Sequence, residues 1–66
     1  MAARIGTVIS RLRERLDMSQ AVLAKRARIS QAYLSRLEAG IQKNPSIGVL
    51  KRLAKTLGVP VTALLG

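Results

Sequence analysis

Gln31 and Arg36 stand five residues apart in the stretch S-Q-A-Y-L-S-R-L-E, and both side chains can form paired hydrogen bonds. Leu34 and Leu37 lie three apart in the same stretch, so a helix that buries them turns Ala32, Ser35 and Arg36 outward, with Gln31 and Tyr33 on its flanks. A glutamine carboxamide matches the N6/N7 edge of adenine, an arginine fork matches the O6/N7 edge of guanine, and a methyl such as that of Ala32 packs on the thymine methyl. Each good bidentate pair discriminates by about 1–3 kcal/mol. Tyr33 admits two roles, contact with a base or phosphate and half-buried packing. The plainer reading of Gln31 and Arg36 is a solvated helix face. Either way the chemistry on offer is recognition.

Turnover is not on offer. The 66 residues contain no cysteine and no histidine, and the carboxylates are Glu14, Asp17 and Glu38 alone. That set supplies neither a metal cage nor an acid/base pair with its supports, so no enzyme and no cofactor are expected. The dominant property is charge. Twelve Lys and Arg against three acids give +9, about one net positive charge per seven residues. Self-repulsion on that scale implies a polyanionic partner. No run approaches the ~18 apolar residues that span a bilayer, and Met1-Ala2-Ala3-Arg4 has no apolar signal core, so neither membrane nor export is expected. Tyr33 is the single aromatic residue, which argues against stacking platforms for single strands. Duplex DNA fits best.

The elements that must position these side chains are short helices. Ser19 and Ser30 are both N-cap residues, eleven positions apart. Between them Leu23, Ala24 and Ala27 keep helical spacing, and Ile29 interrupts. The small Ala24 and Ala27 allow a second helix to cross closely, with Ile29 plugging the corner. This pattern is a helix-turn-helix over about 19–38, or else an ordinary helical hairpin in a small bundle. Helix starts attract anions through free N–H groups and the helix dipole. Ser19 with Gln20, and Ser30, are therefore candidate phosphate holders, joined by Ser35 and by Lys43 and Asn44 in the following loop. Arg11, Arg15, Lys25, Arg26, Lys51, Arg52 and Lys55 add charge as mostly solvated surface.

A first helix is expected over about 3–16, with Ile5, Ile9, Leu12 and Leu16 as one stripe, Val8 beside it and Asp17 ending it. Gly6 is expected in a frayed first turn, at little cost. The second helix covers 20–27 and the third 31–39, closed by Gly40 in left-handed conformation. Residues 41–45 form a polar loop with Ile41 as an apolar anchor. Ser46 caps a fourth helix whose inner face is Ile47, Leu50, Leu53, Ala54 and Leu57, with Lys51, Arg52 and Lys55 outward. Gly58 closes it and Val59 folds back on Ala54. Pro60 opens a last short helix, in which Leu64 completes the core. Leu65, with Val49 or Val61, is either a small dimer contact or an exposed end. One domain of this size buries only about 60% of its unfolded surface.

In this order and spacing, S-Q-x-x-L-A-x-x-A-x-I-S-Q-x-Y-L-S-R-L-E-x-G, then N-P-S and L-G-V, the chain resembles the phage repressor/Cro-type (xenobiotic-response-element-like) helix-turn-helix family of transcriptional regulators. The resemblance covers about residues 5–65. It implies an all-α, compact five-helix, lambda-repressor-like fold that binds operator DNA as a homodimer, in a cytoplasmic, nucleoid-associated protein of bacterial or phage origin. By the same resemblance Gln20 and Asn44 hold backbone phosphates. Two corners depart from the family pattern. Arg28 stands where Gly is usual in a left-handed turn, and Asp17 where Gly or Asn is common. Asp tolerates that conformation, whereas Arg loses of order 1 kcal/mol, a strain taken as tolerated and offset by phosphate contact. Ala21 and Val22 replace the usual Glu, which removes repulsion from DNA and also a capping box.

Glu38 follows Leu34 by four residues, so it lies along the inward stripe of the third helix. Arg13 follows Ile9 by four and precedes Leu16 by three, so it flanks the inward stripe of the first. The two are expected to form a structural salt bridge, as matching positions do in some phage repressors; the alternative is a solvated surface glutamate. No small-molecule ligand is expected. Rival functions for the same fold are a DNA-binding antitoxin of a toxin–antitoxin pair, a protein-interaction adaptor, and a non-specific RNA- or nucleoid-coating protein.

Overall fold

The computed structural model describes residues 5–65, and within them it contains five helices and no strand. In chain order these are α1 (Ile5–Arg15), α2 (Gln20–Ala27), α3 (Gln31–Glu38), α4 (Ile47–Leu57) and α5 (Val61–Leu64). The core joins all five: Ile9 from α1, Leu23, Ala24 and Ala27 from α2, Leu34 and Leu37 from α3, Leu50, Leu53, Ala54 and Leu57 from α4, and Leu64 from α5. α3 packs between α1 and α2, and α2 also packs on α4, which carries α5.

Helices of eight residues do not stand alone in water, so their ends carry much of the specification. Ser19, Ser30 and Ser46 each adopt extended backbone, and their hydroxyl oxygens accept the amides of Val22, Tyr33 and Val49 at 3.1, 3.0 and 3.2 Å. Each bond satisfies one of the amides a helix start leaves without a partner. The ends of α2 and α4 close by one device. The Arg28 amide reaches Lys25 O at 3.2 Å and the Ile29 amide reaches Ala24 O at 3.0 Å; Gly58 and Val59 repeat this on Lys55 and Ala54. Such an ending needs a left-handed residue. Gly58 supplies it at φ 71, and Arg28 supplies it at φ 59 with a full side chain. Asp17, at φ 54, makes the other left-handed corner, and Gly40 at φ 81 turns the chain after α3.

Several expectations change. Ala3 lies outside the described residues, and Leu16 leaves the helix: it sits in the turn made by Asp17 and is 48% exposed, while Met18 packs on the core. Ala39 is the C-cap of α3 and not its last residue. Ile41 is no anchor, being 70% exposed. Ile47 continues the inner stripe of α4 by spacing yet is 59% exposed, while Leu50 one turn later is 5% exposed. The edge of the core falls between them. Pro60 is the N-cap of α5, one position earlier than its expected place as the first helical residue. Arg52 is exposed as expected, and in addition its Nε donates to Ala27 O at 2.9 Å, holding the end of α2 to α4.

The largest correction concerns Gly6. It is buried in α1, and a Cβ built on it would overlap Leu37 O and lie 2.9 Å from Glu38 Cα. Its missing side chain is what lets α1 abut the backbone of α3. Gly6→Ala should therefore destabilise the domain by about 2 kcal/mol or more, even though Ala is the better helix former by ~1 kcal/mol. Urea unfolding would show it, and an unchanged midpoint would mean that the two helices separate freely. Arg28→Gly should act in the opposite sense. Relief of the left-handed strain, ~1–2 kcal/mol, exceeds the added freedom of the unfolded chain, ~0.4–1 kcal/mol. A gain of about 0.5–1 kcal/mol is expected, and a loss would show that the Arg28 side chain itself stabilises the fold.

Candidate nucleic-acid interface

Two helix starts and one helix face make up the site. At the start of α2 the Ser19 hydroxyl is occupied as an acceptor, but it keeps its proton, and the amides of Gln20 and Ala21 have no partner within the helix. The start of α3 repeats this with Ser30, Gln31 and Ala32. Both ends lack an acidic residue in the first turn, so each presents an uncompensated positive helix end to an anion.

Along α3, Leu34 and Leu37 are buried, and Gln31, Ala32, Ser35 and Arg36 are exposed. Ala32, Ser35 and Arg36 share one face by their three- and four-residue spacing, and Gln31 flanks it one turn before Ser35. Tyr33 is half-buried and packs on the core, which leaves its outer end for any contact. Lys43 and Asn44 are exposed in the connection to α4. Lys43 and Gln42 also border a crevice of about 240 Å³ with Ile5, Gly6, Leu37 and Gly40. The connection is held at its start by the amides of Ile41 and Gln42, which donate to Arg36 O at 2.9 and 3.1 Å.

Behind this face lies a polar network. Arg13 Nε and Nη2 donate to Glu38 Oε2 and Oε1 at 2.9 and 3.0 Å, a two-pronged ion pair between α1 and α3. The side chains are only 14% and 6% exposed. Arg13 Nη1 donates to Met18 O at 2.7 Å, and Gln20 Nε2 donates to Glu38 Oε1 at 3.0 Å. Every prong of the Arg13 fork is thus used. Its pKa is raised above the ordinary arginine value, first by the hydrogen bond to Glu38, and desolvation opposes that rise. Gln20, read from sequence as a phosphate holder, also closes this network; its second amide proton remains for a phosphate. The Met18 carbonyl and the Gln20 carboxamide are members that sequence reasoning missed. A Gln one residue after a capping Ser offers no cue that it will meet a carboxylate eighteen positions away.

The order of these elements has a match among known proteins. Residues 9–64 fit the family model described as helix-turn-helix. The chain belongs to the helix-turn-helix family. Among helix-turn-helix relatives, the HTH-type transcriptional regulator SlrR of Bacillus subtilis is 40% identical over 60 residues, covering 91% of this chain and 40% of that protein. SinR of B. subtilis is 38% identical over 61 residues, covering 92% and 55%. The immunity repressor protein of Bacillus phage phi105 is 34% identical over 62 residues, covering 94% and 42%. The chain spans about half the length of these curated relatives. In three dimensions it matches the crystal structure of SinR, the master regulator for biofilm formation, in complex with DNA. That match has a TM-score of 0.91 at 37% identity and covers 94% of this chain and 98% of that one. The N-terminal DNA binding domain of SinR from B. subtilis matches with a TM-score of 0.90, covering 94% and 90%.

Within the helix-turn-helix frame, the ion pair tests how α1 and α3 are held. Arg13→Met or Glu38→Gln should each cost about 3–5 kcal/mol, since each leaves a largely buried charge without its partner. The double variant should lose much less than the sum. A double-mutant cycle on denaturant unfolding measures the coupling; additive losses would mean that the two side chains do not depend on each other.

Proposed function

We propose that this domain binds duplex DNA sequence-specifically as a transcriptional regulator, with α3 in the major groove and as a dimer on a pseudo-palindromic operator. The observation that carries the reading is the pairing of two acid-free, serine-capped helix starts with an exposed Gln-Ala-Ser-Arg face, in a fold that matches a DNA-bound one. Gln31, Ala32, Tyr33 and Arg36 contact bases. Ser19, Gln20, Ser30, Ser35, Lys43 and Asn44 hold phosphates. Repression is the sense of control that the phage relative's name supports. No helix among the described residues is long and apolar enough to cross a membrane, and the reading places the protein in the cytoplasm, on the nucleoid.

Electrostatics and base readout separate in two measurements. Affinity for duplex should fall steeply with salt, log K against log[salt] falling by about 0.9 per neutralised phosphate; a nearly flat dependence would sink the duplex reading. Selection of bound sites from random duplexes should enrich a pseudo-palindromic motif. Arg36→Ala should relax one base position in it, and Lys43→Ala should weaken all sites about equally. Retained binding with no enriched motif would instead identify a coating protein. If both variants lose affinity and keep the same motif, Arg36 does not read a base.

A further inference from the structure

A second concave surface lies where α2 ends against α4. It is an open groove of about 500 Å³ lined by Arg26, Arg28, Arg52, Lys55 and Thr56. Four cations converge there with no carboxylate among them. The chain's acids lie elsewhere, Glu14 and Asp17 around the end of α1 and Glu38 in the pair with Arg13. Structure accounts for Arg52, which donates to Ala27 O. It does not account for the exposed Arg26, Arg28 and Lys55, whose charges repel one another. Arg28 moreover holds a left-handed turn that glycine would hold with less strain, and non-glycine strain of this kind persists where function uses the side chain.

We propose that this corner is a second phosphate-binding surface, which takes the DNA backbone flanking the base pairs that α3 reads. The inference rests on the DNA-binding reading and extends its footprint. Arg28 precedes Ser30, the N-cap of α3, by two residues, so their Cα atoms lie within about 7.6 Å of each other. One residue of the basic groove therefore stands two positions from the start of the helix proposed to read the duplex. Guanidinium forks match phosphate oxygens bidentately, whereas the Thr56 hydroxyl already donates its proton to Arg52 O at 2.9 Å, which leaves the phosphate to the cations. An acidic polypeptide is the other polyanion that would suit the charge. Proximity of Arg28 to the start of the reading helix favours the nucleic acid.

The test compares two duplexes carrying the motif selected from random sequence, one ending flush with the motif and one extended by about ten base pairs on each side. The domain is 29 Å in its longest dimension, about eight or nine base pairs at 3.4 Å each, so that extension exceeds its reach. Affinity is measured between 50 and 200 mM salt for the unaltered chain, for Arg28→Gly and for Arg26→Gln/Arg28→Gly/Lys55→Gln. Two flanking phosphates should steepen the salt slope of the unaltered chain on the extended duplex by about 1.8, so that its advantage over the flush duplex falls about twelvefold across that range. The triple variant, with three fewer positive charges, should bind both duplexes more weakly and lose this extra slope, so that its slopes on the two duplexes become equal. Arg28→Gly, whose turn suits glycine, should lose part of it. Equal slopes on both duplexes for the unaltered chain, or an extra slope that survives the triple variant, would overturn the flank contact and leave the corner to an acidic polypeptide. Absence of binding to either duplex would overturn the DNA reading itself, and this proposal with it.

Discussion

The bond on which the arrangement of the reading helix depends is the fork between Arg13 and Glu38. It joins the end of α1 to the end of α3, and its spare donors and acceptors collect Met18 from the α1–α2 turn and Gln20 from the start of α2. Three segments thereby meet at one largely buried carboxylate, with no buried side-chain N or O left unpartnered among the described residues. An ion pair of this kind is weak evidence for added stability, because desolvation of both charges offsets their attraction. Its consequence is geometric. A two-pronged pair fixes both distance and orientation, so α3 cannot rotate about its axis without leaving a buried charge behind. Gln20, with one amide proton on Glu38 and one left over, ties the candidate phosphate contact at α2 to the same reference point.

Close backbone approach is the second constraint, and it acts at the same end of α3. Gly6 lets α1 lie against Leu37 and Glu38, which brings Arg13, two turns further along α1, to the carboxylate it needs. The corners then set the directions of the short helices. Asp17 and Arg28 hold left-handed backbone on either side of α2, and α2 carries its three buried residues to both α3 and α4. A domain this small has little stability in reserve, so the tolerance of strain at Arg28 is informative. The same ending at Gly58 uses the residue that suits it.

What could be read from the sequence divides along a physical line. The three middle helices announce themselves locally, through a capping serine, an apolar spacing and a left-handed residue at or just beyond the end, and α2 matches its expected bounds. The pairing of Arg13 with Glu38 was also legible, because each flanks a stripe that must face inward. Features that depend on where one helix lies on another were not. Gly6 reads as a weak helix residue until the carbonyl of Leu37 is placed beside it. Ile47 and Leu16 extend their stripes correctly by spacing and still emerge into solvent, because periodicity states direction and is silent on where the packed partner stops. Arg52 likewise shares the outward face with Lys51 and Lys55, and only the position of Ala27 reveals a bond.

The distribution of charge bears on how many copies the function needs. The two proposed bidentate base contacts, Gln31 and Arg36, would supply about 2–6 kcal/mol of discrimination at 1–3 kcal/mol each. Specific binding exceeds non-specific binding by about 4–10 kcal/mol in typical systems. One α3 therefore covers the lower part of that range, while the remaining cations of a +9 chain strengthen binding to every sequence alike. Adding further positive charge raises affinity without closing the gap. A second copy on a symmetric half-site, as proposed, would close it, because the base contacts would double and the two readings would multiply. The proposed dimer follows from this arithmetic and needs only a modest contact between copies, since the DNA itself holds both at high effective concentration. Val61, half-buried, and Leu65, 54% exposed beyond the last helix, are the apolar side chains offered for such a contact.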